Sequence, residues 1–313
     1  MFEIVRYTPD KATEWNQFVA QSKNGTFLFN RSYMDYHADR FNDYSLMFYD
    51  NGRLYALLPA NRRDDVLYSH QGLTYGGLVM DMKCRAASIR HLFQLLADYL
   101  KKEGFKSVVY KHVPYIYATQ PADEDLYALT NIFHAALSSR DVASVVDLTC
   151  RIPLSMLRRR GVKKAVKNNL KVSEMQDFAS FWHVLKDNLM KRFHASPVHS
   201  LAEITLLHER FPQHIRLFVV TQGDKLLGGT VLYCMPHIVK TQYISANEEG
   251  RRIGALDLLF DTLLERFSSE GIRYFDFGTS NQVDNDDLND SLIFQKEGFG
   301  GRAVCYDTYE WNL

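Results

Sequence analysis

The C-terminal part of the chain reads Ile272-Arg273-Tyr274-Phe275-Asp276-Phe277-Gly278-Thr279-Ser280 and, after an acidic stretch, Leu292-Ile293-Phe294-Gln295-Lys296-Glu297-Gly298-Phe299-Gly300-Gly301-Arg302. The first segment has the apolar run of a buried strand, which ends at Gly278 and opens into a polar turn. The second segment places a lysine just before a turn that is too rich in glycine for a regular helix or strand. Polar residues are thereby concentrated in an apolar neighbourhood: Asp276, Ser280, Asn281, Lys296 and Arg302. We predict that the rest of the chain is a framework that presents this polar corner.

The order of elements upstream of the polar corner occurs twice. Residues 45–111 and residues 215–277 are both predicted to form the same series of elements: a strand, a turn, two further strands, a helix, a glycine cap and a strand. The two helix caps, Gly104 and Gly271, lie 271 − 104 = 167 residues apart, and the hairpin turns at Gly52 and Gly223 lie 223 − 52 = 171 apart. A duplicated α/β unit explains this order better than chance similarity of two amphipathic helices. We therefore predict an N-terminal unit of residues 1–145 and a C-terminal unit of residues 146–313.

Composition places the chain among globular proteins with full hydrophobic cores. The hydrophobic content is 46%, the charged content is 24% and the formal net charge is +0, so a surface coated in positive charge for nucleic acid is not expected. The cysteines are scattered without a C-x-x-C pair and are expected to be reduced and mostly buried: Cys84, Cys150, Cys234 and Cys305. No secretory signal and no apolar run of the ~20 residues needed to cross a bilayer are visible. We expect a cytoplasmic protein without a transmembrane segment.

A basic cluster marks the region that connects the two units. It consists of Arg158, Arg159, Arg160, Lys163, Lys164, Lys167 and Lys171, in a helix predicted over about residues 154–171. Arg160, Lys163 or Lys164, Lys167 and Lys171 recur at helical spacing and would form one positive face. Such a face is often merely solvated. Because it has almost no acidic partner, we interpret it as a site for an anionic ligand such as phosphate, nucleotide or RNA backbone.

Several kinds of chemistry lack their sequence patterns. The histidine pairs are spaced five and six residues apart, unlike H-E-x-x-H, and the run Asp284, Asp286, Asp287 and Asp290 lacks the glycine and closing glutamate of a calcium loop. We therefore expect no metal site and an exposed acidic loop. Walker A, G-x-G-x-x-G and G-x-S-x-G patterns are also missing, which argues against nucleotide hydrolysis, dinucleotide redox chemistry and serine hydrolysis.

One phosphate-binding pattern remains. After the strand ending at Ala246 comes Arg251-Arg252-Ile253-Gly254-Ala255, which leads into the helix predicted from Leu256. A loop that enters a helix N-terminus offers free N–H groups and the positive end of the helix dipole to a pyrophosphate. A plain strand-to-helix turn is the alternative interpretation.

These segments resemble a known family. The strand, R-x-x-G turn, helix and strand resemble the core of the GNAT acyltransferases, whose turn binds the pyrophosphate of coenzyme A, so the resemblance implies Arg251, Gly254 and Ala255 as cofactor-binding residues. The whole chain is more similar to the tandem-GNAT, Fem-type group, which includes the FemABX aminoacyltransferases. The motifs that carry this likeness are the aromatic-rich segment Thr26-Phe27-Leu28-Phe29-Asn30-Arg31-Ser32-Tyr33, the turn Tyr75-Gly76-Gly77-Leu78, the basic Arg159-Arg160-Gly161-Val162-Lys163-Lys164-Ala165, and the glycine-rich segment from Phe294 to Gly301.

The resemblance implies an α/β (α+β) fold of two GNAT-like units, each with a mixed, mostly antiparallel sheet flanked by helices. It also implies direct transfer of an acyl or aminoacyl group to an amine of a cell-envelope precursor, an amino sugar or a peptidoglycan peptide, without a covalent enzyme intermediate. The donor is acetyl-CoA or another acyl-CoA, or aminoacyl-tRNA, and the sequence leaves this choice open. The acceptor is expected to be an anionic small molecule or a lipid-linked precursor, and tRNA is a possible partner.

Roles for individual residues follow from the resemblance. Lys296 is the first candidate catalytic residue, because a fixed ammonium stabilises an oxyanion or a phosphate. Asp276 is the nearest candidate base, although it equally fits a strand-end cap. The candidate substrate-binding residues are Arg160, Lys163, Lys164, Gln242, Tyr243, Ser280, Arg302 and Tyr75. The alternative function is a non-catalytic protein that binds a nucleotide-sugar or RNA on the same duplicated fold.

Overall fold

The computed structural model describes residues 2–282 and 287–313, apart from the side chain of Phe193. It divides into two compact units: Met1–Asp141 with Cys305–Leu313, and Val142–Val304. The predicted boundary at 145/146 lies four residues from the observed one at 141/142, whereas the last nine residues cluster with the N-terminal unit and not with the C-terminal one. Asp284 and Asp286 of the predicted acidic loop lie outside the described residues.

The elements are numbered in chain order. The strands are β1 (Phe2–Arg6), β2 (Asn42–Asp43), β3 (Leu46–Asp50), β4 (Arg53–Leu58), β5 (Asn61–Arg63), β6 (Val66–Tyr68), β7 (Val79–Met80), β8 (Ser107–Lys111), β9 (Ala136–Asp147), β10 (Lys171–Met175), β11 (Ile215–Gln222), β12 (Lys225–Cys234), β13 (Ile238–Ala246), β14 (Tyr274–Thr279) and β15 (Arg302–Asn312). The helices are α1 (Ala12–Gln21), α2 (Arg31–Met34), α3 (Ala86–Lys102), α4 (Glu124–Asn131), α5 (Met156–Lys167), α6 (Phe178–Phe193), α7 (Leu201–Arg210), α8 (Glu248–Ile253), α9 (Ala255–Ser269) and α10 (Asp290–Glu297).

The N-terminal unit contains an antiparallel sheet in the order β1-β3-β4-β7 and a second group of strands, β2-β5-β6-β8 with the end of β15. The predicted hairpin is present, because Asn51 and Gly52 both take the left-handed conformation that tightly joins β3 to β4. Helix α3 buries its apolar stripe, from Ile89 to Leu100, in the core of this unit.

The C-terminal unit has the strand order β10-β11-β12-β13-β14, with β9 next to β14. Neighbouring strands are antiparallel except β13 and β14, which are parallel because helices α8 and α9 connect them. Helix α9 packs the side chains of Leu259, Phe260, Leu263, Leu264 and Phe267 into the core of this unit. Each unit is therefore a mixed, mostly antiparallel sheet with helices, as predicted.

The helix caps of the two units show the duplication at the level of single hydrogen bonds. Gly104 (φ 81°) and Gly271 (φ 80°) both take the left-handed conformation after their helices. In each case the residue after the glycine donates its N–H to a carbonyl five residues back, Phe105 to Leu100 at 3.0 Å and Ile272 to Phe267 at 3.0 Å. The same cap ends α3 and α9 before the strands β8 and β14.

Three local predictions were wrong. Lys171 does not continue the basic helix, because α5 ends at Lys167 and Lys171 begins β10. Residues 251–253 are not a loop but belong to the short helix α8, since Asn247 caps its first turn. Asp290 is not part of an acidic loop but is the first residue of α10, where a carboxylate is favourable near the helix N-terminus. Within the described residues, no helix is both long and apolar enough to span a bilayer.

Candidate active site

Strands β13 and β14 separate part of the way along their length. They pair in register from Ile238 with Tyr274 to Lys240 with Asp276, and no pairing follows within the described residues. Both strands are irregular at this level. The pairing of β13 with β12 shifts at Gln242, and the pairing of β14 with β9 shifts between Asp276 and Thr279. Because a bulge bends its strand and strengthens its twist, two bulges at one level open a gap in the sheet.

A cleft of about 430 Å³ lies where the strands have separated. Its walls come from both strands and from five helices. The lining residues are Ile244, Ser245, Ala246 and Phe277 from the strands; Arg158 from α5; Asn188, Leu189 and Arg192 from α6; Arg251 from α8; Leu256, Asp257 and Phe260 from α9; Leu292, Gln295 and Lys296 from α10; and also Gly254 and Phe299. The cleft is therefore an apolar slot with charged groups at a few points, which is the usual composition of a small-molecule site.

Lys296 stands at the wall of this cleft in the last turn of α10. Its side chain is 5% exposed, and its Nζ donates to the Gly278 carbonyl at 2.8 Å, the Thr279 carbonyl at 2.6 Å and the Ser280 Oγ at 2.9 Å. An ammonium has three donors, so all of them are used in holding the end of β14. The lysine thus fixes the strand end that forms one side of the cleft and brings a positive charge to its wall.

Two buried lysines and one buried carboxylate share the place where the strands separate. Asp276 is fully buried, and its Oδ1 accepts the N–H of Gly278 at 2.7 Å. Lys240, paired with it across the strands, is 7% exposed and makes only long hydrogen bonds, to the Thr241 carbonyl at 3.4 Å and the Gln242 Oε1 at 3.3 Å. Two cations therefore face one carboxylate.

Burial controls the proton affinity of both lysines. It lowers the pKa of Lys296 to about 8, with Asp276 opposing the shift and Lys240 adding to it. Burial likewise lowers the pKa of Lys240, against the attraction of Asp276. Desolvation disfavours the charged form of each amine, and a neighbouring ammonium disfavours it further.

A basic depression of about 350 Å³ lies next to the cleft. Five basic residues line it, Arg158, Arg160, Lys164, Arg251 and Arg252, together with Leu157, Gly161, Gly254 and Asp257. It shares Arg158, Arg251, Gly254 and Asp257 with the cleft, so the two cavities are adjacent and have these residues as a common wall. The structure therefore brings together residues that the sequence assigned separately to a cofactor and to a substrate.

The junction of α8 and α9 is packed against α5. Gly254 takes the left-handed conformation (φ 85°), and a Cβ on it would lie 2.4 Å from the carbonyl oxygen of Gly161. Beside it the Arg158 guanidinium donates to the Asp257 carboxylate at 2.6 Å, while burial raises the pKa of that carboxyl against the influence of the arginine. The N-terminus of α9, which begins at Ala255, is thus covered by α5 and its own Asp257. The candidate surface for an anion is therefore made by the basic side chains around this helix end, and not by an open loop.

The other predicted residues lie in different surroundings. Arg251 donates to the Asn188 Oδ1 at 2.7 Å and to the Ala246 carbonyl at 2.5 Å, so it joins α6 to the end of β13. Tyr243, whose pKa burial raises to about 12, contacts the Nδ1 of His199 through its hydroxyl at 2.5 Å. Arg302 is exposed and donates to the Gly301 carbonyl at 2.6 Å.

Three further predicted residues are not brought into the cleft. Gln242 is half-buried at the bulge of β13 and accepts from Lys240. Lys163 is exposed on α5 and is not among the residues around the basic depression. Tyr75 belongs to the N-terminal unit, where it is 1% exposed and donates to the Thr26 Oγ1 at 3.1 Å. The Y-G-G turn therefore supplies a core side chain there.

Sequence reasoning missed Lys240 and the pair of Arg158 with Asp257. A lysine within the apolar start of β13, between Val239 and Thr241, is a signal that it missed. Arg158 and Asp257 are 99 positions apart in the chain, so no local sequence pattern could predict their ion pair. Among the described residues, no group of three or more histidine, cysteine, aspartate or glutamate side chains is placed to hold a metal ion.

Comparison with known proteins agrees with this geometry. The model of the acetyltransferase (GNAT) domain family matches residues 157–286, which lie in the C-terminal unit. No curated protein sequence matches the chain. The match to the GNAT domain model thus covers most of the C-terminal unit, and it supports an acyltransferase.

Solved structures extend the comparison to the whole chain. FemX superposes with a TM-score of 0.70 at 12% identity, covering 99% of this chain and 97% of that one. L-PGS from Bacillus licheniformis gives a TM-score of 0.60 at 11% identity, covering 98% and 92%. A tandem GNAT protein from the clavulanic acid biosynthesis pathway gives 0.52 at 12% identity, covering 100% and 98%. The chain has a Fem-type tandem GNAT fold, which confirms the resemblance found in the sequence motifs.

Proposed function

We propose that this protein is an N-acyltransferase that moves an acyl or aminoacyl group from a phosphate-bearing donor to an amine of a cell-envelope precursor. The observation that carries the proposal is the adjacency of the cleft and the basic depression, which have Arg158, Arg251, Gly254 and Asp257 in common. An acyl-CoA and an aminoacyl-tRNA both combine a reactive acyl group with phosphates. A slot for the acyl group that opens onto a basic surface suits either donor.

The separated strands offer a way to hold the acyl group. Beyond Lys240 the edge of β13 that faces β14 has no strand partner within the described residues. Backbone groups on such an edge can hydrogen-bond an extended arm, as in β-strand addition. In the proposed reaction the amine nitrogen attacks the acyl carbonyl carbon, and the bond from that carbon to the donor sulfur or oxygen breaks. The amine proton passes to a base or to the leaving group, so no enzyme-bound intermediate is needed.

Lys296 and Asp276 have distinct places in this scheme. The three donors of the Lys296 ammonium hold the end of β14, so in this scheme its positive charge at the cleft wall, and not a hydrogen bond, stabilises the negative charge that develops on the carbonyl oxygen. Asp276 is buried, and its negative charge opposes the loss of the ammonium proton of Lys296. We therefore assign Asp276 to supporting the charge of Lys296, a role that its contact with the Gly278 N–H also fits. Replacing Lys296 with methionine is expected to lower turnover about tenfold or more.

The donor is identified by calorimetry on the purified protein with acetyl-CoA and, separately, with charged tRNA at one fixed salt concentration. Micromolar binding of acetyl-CoA that is lost in Arg251→Ala, but kept in the control Arg90→Ala on α3, identifies an acyl-CoA enzyme. Binding of charged tRNA alone, weakened by Lys163→Ala and Lys164→Ala, identifies an aminoacyltransferase. Because phosphate contacts make binding salt-dependent, the same titrations at higher salt should weaken binding of the true donor.

The acceptor is then sought among amino sugars and peptidoglycan peptides with the donor that binds. Product formation measured by mass spectrometry supports transfer. Binding of neither donor refutes the proposal. Tight binding of a nucleotide-sugar or RNA without any product would indicate the non-catalytic function instead.

A further inference from the structure

Helix α5 presents a charged face that the proposed reaction uses only in part. Arg160 and Lys164 line the basic depression, whereas Arg159, Lys163 and Lys167 are exposed away from it. The helix contains no acidic residue, and within the described residues no salt bridge involves any of these five cations. They form the basic face of α5. At 1.5 Å per residue the helix is about 18 Å long, so the charges are densely spaced.

Large apolar side chains are exposed at the beginning of the same helix. Ile152, Met156 and Leu157 are 39%, 61% and 52% exposed. Met156 precedes Arg160, Lys163 and Lys167 by four, seven and eleven residues, so it lies on the same outward side as these cations. We call Ile152, Met156 and Leu157 the apolar tip of α5.

The surface beside the apolar tip is apolar as well. The N–H of Ser155, which caps α5, donates to the carbonyl of Gly298 at 2.8 Å, directly after α10. One turn earlier on α10, Phe294 is 64% exposed. Several large apolar side chains exposed close to a cluster of charge are typical of an interaction surface.

We propose that the basic face and the apolar tip of α5 dock this protein on an anionic lipid bilayer. A bilayer surface accepts both parts, because its headgroups attract lysine and arginine while its interfacial region takes up aliphatic side chains. RNA fits less well, since its bases stack on aromatic rings or on guanidinium planes and gain little from isoleucine, methionine and leucine. Docking in this way places the basic depression, which Leu157 also lines, beside the membrane.

The inference does not rest on the proposed reaction, because vesicle binding is measured without donor or acceptor. Purified full-length protein is floated with vesicles of phosphatidylcholine alone or of phosphatidylcholine with about one third phosphatidylglycerol, at about 0.1 M salt, where the Debye length is ~10 Å. The expected result is binding to the anionic vesicles that exceeds binding to the neutral ones and falls as salt is raised.

Two variants test the basic face and the apolar tip separately. Lys163→Gln with Lys167→Gln should weaken binding to anionic vesicles about 30-fold, the effect expected for two basic side chains at a charged surface. Met156→Ser with Leu157→Ser should weaken it about tenfold, through lost apolar burial. The matched controls are Lys101→Gln with Lys102→Gln and Met82→Ser, which change exposed residues of the N-terminal unit and should leave binding unaltered.

Absence of vesicle binding, or equal binding to neutral and anionic vesicles, overturns the proposal. The same conclusion follows if the controls weaken binding as much as the α5 variants do. If the protein does not bind vesicles but binds charged tRNA through Lys163 and Lys167, the basic face is assigned to RNA instead. Loss of donor binding in Arg251→Ala bears only on the proposed function.

Discussion

Replacing Lys296 with methionine should change how the stability of the protein depends on pH. The ordinary pKa of a lysine is 10.5, whereas burial lowers that of Lys296 to about 8. Between these two values the unfolded chain keeps the proton that the folded protein has lost. Stability therefore rises with pH across this window in the wild type, because the unfolded state binds more protons. Below about pH 8 both states are protonated, and the full penalty of the buried charge is present.

The size of the effect follows from the shift. A change from 10.5 to about 8 corresponds to about 3 kcal/mol at roughly 1.4 kcal/mol per pKa unit, and the side chain is buried enough for little of it to be screened. Methionine has a similar length and does not titrate, so the variant lacks this gain. The repulsion from Lys240 is already part of the lowered pKa of Lys296 and adds nothing further to this value.

The assay is urea unfolding of wild type and Lys296→Met at several pH values from about 7 to 10.5, followed by circular dichroism. The free energy of unfolding of the wild type, minus that of the variant, should increase by about 3 kcal/mol over this range. Taking the difference removes the contributions of other titrating groups that the substitution does not affect. A difference that stays constant, or that falls as pH rises, would refute the assignment of Lys296 as a desolvated, charged amine.

Three further outcomes are expected. Gly254→Ala should lower the free energy of unfolding by more than about 2 kcal/mol, because the new Cβ meets a backbone carbonyl at 2.4 Å. The control Gly223→Ala is also at positive φ but has open space around it, so it should lower the free energy of unfolding by only about 1 kcal/mol. Equal losses for the two variants in urea unfolding would contradict this reasoning. Asp257→Asn removes the carboxylate from the basic depression and should tighten binding of inorganic pyrophosphate about fivefold in calorimetry, whereas unchanged affinity would argue against an anion site there. A thiol reagent should label the exposed Cys150 and Cys305 in the native protein. It should label Cys84 and Cys234 only after unfolding, because both are buried and burial raises the pKa of their thiols to about 12.

Local patterns predicted the individual elements well. The hairpin turn at Gly52, the helix before Gly104 and the ends of β8 at Lys111 and of β13 at Ala246 agree with the structure, because chain reversal and one-sided burial leave a signal within a few residues. The duplication was also visible in the sequence, since each unit ends its long helix with the same glycine cap. The order of the Fem-type motifs then indicated the family fold, although no single motif was specific.

The arrangement of the site depends on the tertiary structure. Whether β13 and β14 separate is decided by bulges formed against β12 and β9, and these pairings join segments that are distant in the chain. The sequence therefore singled out Lys296 but gave no sign that its three donors hold the end of β14. It also failed to place Lys240 opposite Asp276, which long-range register alone brings about.

The basic depression illustrates the same division between sequence and tertiary structure. The sequence alone determined that α5 is a basic helix with no acidic residue of its own and that an R-x-x-G segment follows β13. Only the fold decided that Gly161 and Gly254 let α5 approach α9, which unites the two basic segments around one depression. Propensity and periodicity reflect interactions between residues that are close in sequence, whereas a binding site forms where elements distant in sequence pack together.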